Sequence, residues 1–136
     1  MLLAFTAALV GVALGRALVP GEATSRTELH ELLHDNLDLD PLQRAKLEAL
    51  ERGFAIQRHA LELQLRTDNA RLANAIEVEH GNGPKVGAAV DASHQAMGEL
   101  QKATLAHIFA MRRILRPDQT PSFDRAVVKA LTLDAQ

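Results

Sequence analysis

His30 and His34 stand four residues apart, a spacing that on a helix stacks two imidazoles one turn above each other so that both can grip one metal ion. Residues 30–34, His-Glu-Leu-Leu-His, also form the HExxH pattern in which zinc peptidases use the intervening glutamate as a base. The two readings demand different surroundings. A peptidase needs a third ligand, an open coordination position and a strand edge that presents substrate. Only about ten residues lie between this motif and an apolar leader, and no strand-like alternation precedes it. Glu31 is therefore expected to be a solvated helix residue, and the chain is expected not to be an enzyme.

Three more residues extend the pair. Glu51 falls on an apolar helical stripe, four after Leu47 and three before Phe54, where a bundle normally places an aliphatic side chain. A carboxylate there needs a partner, which could be a metal or an arginine such as Arg44 or Arg58. His107 and Met111 repeat the four-residue spacing of the two histidines. Counted from the turn at Asn82, Glu51 lies 31 residues before, and His107 and Met111 lie 25 and 29 after. On antiparallel helices rising about 1.5 Å per residue these depths nearly match. If residues 27–36 fold back beside the long helix, His30 and His34 reach the same level.

Three imidazoles, a carboxylate and a thioether suit a first-row transition metal: nickel, cobalt(II), zinc or copper. With Glu51 bidentate the set supplies six donor atoms and closes an octahedron. No position remains for an activated water, which again argues against hydrolysis.

The elements that must carry these residues are helical. Asp40-Pro41-Leu42-Gln43 combines an N-cap, a proline at the first helical position and a capping-box glutamine. From there Leu47, Leu50, Phe54, Leu61, Leu65, Leu72 and Ile76 keep helical spacing to about Glu79, with Gly53 the one weak point. Gly81-Asn82-Gly83-Pro84 reverses the chain. A second stripe runs through Val86, Val90, Met97, Leu100, Thr104, Ile108, Met111 and Leu115 until Arg116-Pro117 breaks it. A short helix over residues 121–131 closes the chain. Thr24 and Ser25 offer caps for the first short helix. The fold class expected is all-α: an antiparallel long-helix hairpin with short flanking helices, four in all.

A chain of 136 residues with 47% hydrophobic and 24% charged residues supports one domain. A net charge of -2 gives no field for nucleic acid, and the absence of cysteine removes disulfides and thiolate metal sites. Residues 1–20 form an apolar leader, interrupted up to Val19 by Thr6 and Arg16, that reads as an export signal or a membrane anchor. Either would deliver residues 21–136 to the periplasm.

The segments Leu29–His34, Leu50–Phe54 and Ala103–Arg112 resemble the periplasmic metal sensors of cobalt-nickel resistance systems, the CnrX type, over about residues 29–131. The resemblance implies that His30, His34, Glu51, His107 and Met111 bind nickel or cobalt. It also implies an anchored homodimer at the inner membrane that holds an anti-sigma partner and frees the sigma factor when metal binds. More widely, Leu39-Asp40-Pro41-Leu42-Gln43 and Leu115-Arg116-Pro117-Asp118-Gln119 look like the paired LTxxQ motifs of Spy- and CpxP-like helical proteins. That likeness keeps open an alternative function as a chaperone or metal buffer. His59, His80 and His94 match no ligand position and are expected at the surface.

Overall fold

The computed structural model describes residues 29–132; the leader, the Thr24-Ser25 caps and the last four residues lie outside that range. Every described element is helical: a π-helical turn α1 (Leu32–Asn36), the long helices α2 (Pro41–Glu79) and α3 (Pro84–Ile114), and α4 (Thr120–Thr132). The architecture is the expected two-helix hairpin with short flanking helices. The described chain divides into two compact units, one formed by residues 29–39 with 116–132 and the other by Asp40–Leu115.

The hairpin unit begins at the capping box. Asp40 accepts a 2.7 Å bond from Gln43 N, and Gln43 Oε1 accepts a 3.0 Å bond from Asp40 N. The same Gln43 side chain donates through Nε2 to Ile114 O at 3.1 Å, tying the start of α2 to the end of α3. At the opposite end His80 adopts a left-handed conformation with φ of 51°, stopping α2. Glu79 then reaches over the turn, its carboxylate accepting from Lys85 N at 2.8 Å and Val86 N at 3.0 Å. A negative group thus meets the unpaired amides and positive dipole end of α3. Contacts at both ends make the helices antiparallel.

Between those ends the interface follows a seven-residue interval. Leu47, Phe54, Leu61, Asp68 and Ala75 recur on α2, and Ala89, Ala96 and Ala103 on α3. Seven residues are nearly two turns, so these positions keep one face toward the partner helix with a slow supercoil. Small side chains fill much of it: Ala75, Ala89, Ala96 and Ala103 are all buried. This corrects two stripe assignments. Ile76 is 50% and Met97 53% exposed, because adjacent alanines take the interface positions at Ala75 and Ala96. Asp68 was not foreseen. It is 1% exposed within the stripe, and its Oδ1 accepts from Gln64 Nε2 at 3.1 Å and lies 3.4 Å from Arg71 Nη1.

The second unit uses the same glutamine device. Arg116 N donates to Gln119 Oε1 at 2.9 Å, while Gln119 Nε2 donates to Asp38 O at 2.8 Å. Leu33, Leu37, Leu39 and Phe123 are its buried apolar residues, and α4 packs against α1. The first short helix departs from simple expectation: residues 29–31 are α-helical, then the backbone widens to π, closed by a 2.9 Å bond from Leu37 N to Leu32 O. The final helix matches its expected span to within one residue at each end.

The turn supports a stability prediction. A Cβ on Gly83 would sit against Glu79 Oε2 and push the carboxylate off the α3 amides. Gly83→Ala and Glu79→Ala should each lose about 1 kcal/mol in urea unfolding, and the double mutant should lose little more than either, because both remove one cap. His80→Gly should instead gain about 0.5–1 kcal/mol by relieving the left-handed residue.

Candidate metal centre

The five candidate ligands divide between the units. His30 and His34 belong to the first, with ring centroids 4.3 Å apart and planes inclined by 41°. His30 is exposed and His34 half-buried. The helical spacing therefore does bring the two imidazoles alongside each other. Glu31 is exposed and lines a cavity of about 310 Å³ with Leu29, Leu32, Asn36, Ala126 and Lys129, apart from the histidine rings.

Glu51, His107 and Met111 belong to the hairpin unit. Met111 is 4% exposed, one turn beyond the half-buried His107 on α3. Glu51 is also half-buried, less enclosed than a central stripe position would suggest. Phe54, one helical turn after Glu51 on α2, lies flat against His107: the ring centroids are 4.3 Å apart and the planes differ by 7°. This stack shows the depth at which α2 meets α3: Phe54, 28 residues before Asn82, lies against His107, 25 residues after it.

The electrostatics of His107 follow from these neighbours. Burial removes water from the imidazolium and holds the His107 pKa below the usual histidine value of 6.5; the nearby Glu51 carboxylate opposes that shift, and Arg58 adds to it. A neutral imidazole is the form that can donate a lone pair to a metal. Phe54, expected only as a stripe residue, and Arg58, expected only as a possible partner of Glu51, are the further neighbours of His107. Arg58 follows Phe54 by four residues, and its guanidinium carbon lies 5.9 Å from the Phe54 ring centre. That four-residue relation is the signal by which sequence could have found it.

The sequence pattern of heavy-metal resistance proteins matches residues 1–132. The chain belongs to the heavy-metal resistance family. It is similar to the nickel and cobalt resistance protein CnrR of Cupriavidus metallidurans, 41% identical over 109 residues that cover 80% of this chain and 74% of that protein. Imidazole, carboxylate and thioether are side-chain types that a borderline transition metal accepts.

The depressed His107 pKa sets a pH dependence for the metal-free chain. The unfolded state binds the extra proton at higher pH than the folded state does. This contribution to stability is complete above about pH 6.5 and is lost as pH falls from there toward the lower folded pKa. NMR titration should place the His107 midpoint below 6.5, and His107→Gln should remove that part of the acid destabilisation.

Proposed function

We propose that this chain is a periplasmic, non-enzymatic sensor of nickel or cobalt. One ion binds through His30, His34, Glu51, His107 and Met111, and binding changes the contact made with an anti-sigma membrane protein. The observation that carries the reading is the half-buried His107 imidazole, its pKa lowered by burial, braced by Phe54, with the Glu51 carboxylate close enough to act on it and Met111 one turn away. Membership of a heavy-metal resistance family and similarity to a nickel and cobalt resistance protein support the choice of metal. Zinc and copper also fit the donor types.

In this reading the binding energy of the ion can favour one arrangement of the chain over another, which is the minimum a switch requires. A six-donor set leaves the ion no open position for activated water, and the chain signals rather than catalyses. Residues 1–20 anchor it to the inner membrane. No helix among the described residues is long and apolar enough to cross a membrane. A homodimer is supported by a stripe on α2, where Leu42, Ile56 and Leu63 recur at multiples of seven residues and are 64%, 76% and 48% exposed.

A second reading, a Spy-like periplasmic chaperone or metal buffer, is favoured by the further exposed apolar residues of the hairpin, Val78, Met97 and Phe109. Suppression of aggregation of unrelated proteins by a metal-free monomer, with no effect of nickel on partner contact, would favour it.

Calorimetry should find one nickel ion per chain, with affinity falling as pH drops through the histidine range. The His30→Ala, His107→Ala double mutant should abolish it; an unchanged stoichiometry would remove the proposed site. Glu51→Gln should impair binding, whereas Glu31→Gln should leave it nearly intact. Peptidase activity lost on Glu31→Gln would establish the rejected enzyme.

Met111 should discriminate between metals. Nickel and cobalt(II) accept six donors readily, while zinc is satisfied by four or five. Met111→Ala should blunt the nickel response more than it weakens zinc binding. X-ray absorption should detect sulfur in the nickel complex; its absence, with equal losses for both metals, would leave Met111 a packing residue.

A further inference from the structure

Arg58 carries a positive charge toward residues that the metal reading assigns as ligands, an arrangement opposed to cation binding. Its guanidinium carbon is 5.9 Å from the centre of the Phe54 ring, and that ring lies 4.3 Å from His107. Those distances bound the charge within about 10 Å of the imidazole, near enough for Coulomb repulsion of a divalent ion. Arg58 is only partly solvated. Its side chain is 31% exposed, and its buried Nε makes no aligned hydrogen bond. Glu62 is a counter-charge: its Oε1 lies 3.5 Å from that Nε, and its side chain is 41% exposed.

We propose that Arg58 is a positioning residue that sets the metal affinity of the centre: held beside Phe54, it keeps a fixed positive charge near His107 and so weakens the grip on a divalent cation. Glu62 moderates the effect from the next turn of α2. This rests on the metal reading above and adds its regulation. A sensor must release its ion when the surrounding concentration falls, and a built-in repulsive charge raises Kd without altering any ligand. The alternative role for Arg58 is packing alone, bracing Phe54 and through it His107. The two roles predict opposite signs. Loss of a brace loosens a ligand and weakens binding, whereas loss of a repulsive charge tightens it.

The test is nickel calorimetry on the full chain with Arg58→Gln, Arg58→Lys and Glu62→Gln, beside His107→Ala as the site control. Arg58→Gln should lower Kd about fourfold at low salt, the size expected for one charge acting on a divalent ion across about 10 Å of high-dielectric surroundings. Arg58→Lys should restore the original Kd, and Glu62→Gln should raise it. The difference between Arg58→Gln and the unchanged chain should shrink as ionic strength rises. Circular dichroism should show all variants equally helical. His107-dependent binding with an equal or higher Kd in Arg58→Gln would overturn this proposal alone. Absence of any His107-dependent nickel binding in the unchanged chain would overturn the metal reading and this proposal with it.

Discussion

A single glutamine bond governs the register of the long hairpin. Gln43 closes the capping box that starts α2, and with its remaining amide hydrogens it reaches Ile114 O at the end of α3. Being 6% exposed, it makes those bonds where water competes poorly, so leaving them unmade would cost the desolvation of both partners. Once that end is fixed, the seven-residue interval carries alignment along the helices, and Phe54 arrives opposite His107. Glu79 fixes the other end by capping α3. Gln119 does for residues 38 and 116 what Gln43 does for the hairpin. The two LTxxQ-like motifs are thus two copies of one clip, each binding its own helix start and a distant carbonyl.

The alanine-rich interface has a consequence for the chemistry. Small residues at Ala75, Ala89, Ala96 and Ala103 bury little apolar surface each, so the helices hold together through closeness and length more than through large side chains. Bulkier groups gather toward the Gln43 end, where Leu47, Phe54, His107 and Met111 lie. The seven-residue alanine interval itself continues through Ala110, and His107 and Met111 stand on either side of it. Asp68 departs from the apolar pattern: a buried carboxylate supported by Gln64 and Arg71, on the alanine-lined stretch rather than beside the ligands.

HExxH illustrates how little a motif means without its surroundings. The two histidines approach as helical spacing requires, yet Glu31 turns toward a cavity shared with α4. In a peptidase the glutamate must face the water on the metal. Here the same five letters supply two imidazoles and one carboxylate that lies apart from them, in a chain of a heavy-metal resistance family.

The sequence by itself determined the features that depend on local chemistry. The start of α2 at Asp40-Pro41, its end at Gly81-Asn82-Gly83, the break at Pro117 and the four-residue histidine pairing all follow from backbone sterics and helical geometry within a few residues. Because rise per residue is constant, counting from the turn brings Phe54 and His107 to within three residues of one depth, and the stacking of their rings was decided by the tertiary structure. Tertiary structure decided what depends on which neighbours share a face. Counting large apolar residues placed Ile76 and Met97 inside, whereas close approach of the helices admits only Ala75 and Ala96. Burial of Asp68 and the π-helical widening of α1 were equally illegible. Each is a compromise among groups from successive turns or facing helices, and no single-helix periodicity records how such competition for space and for hydrogen bonds is resolved.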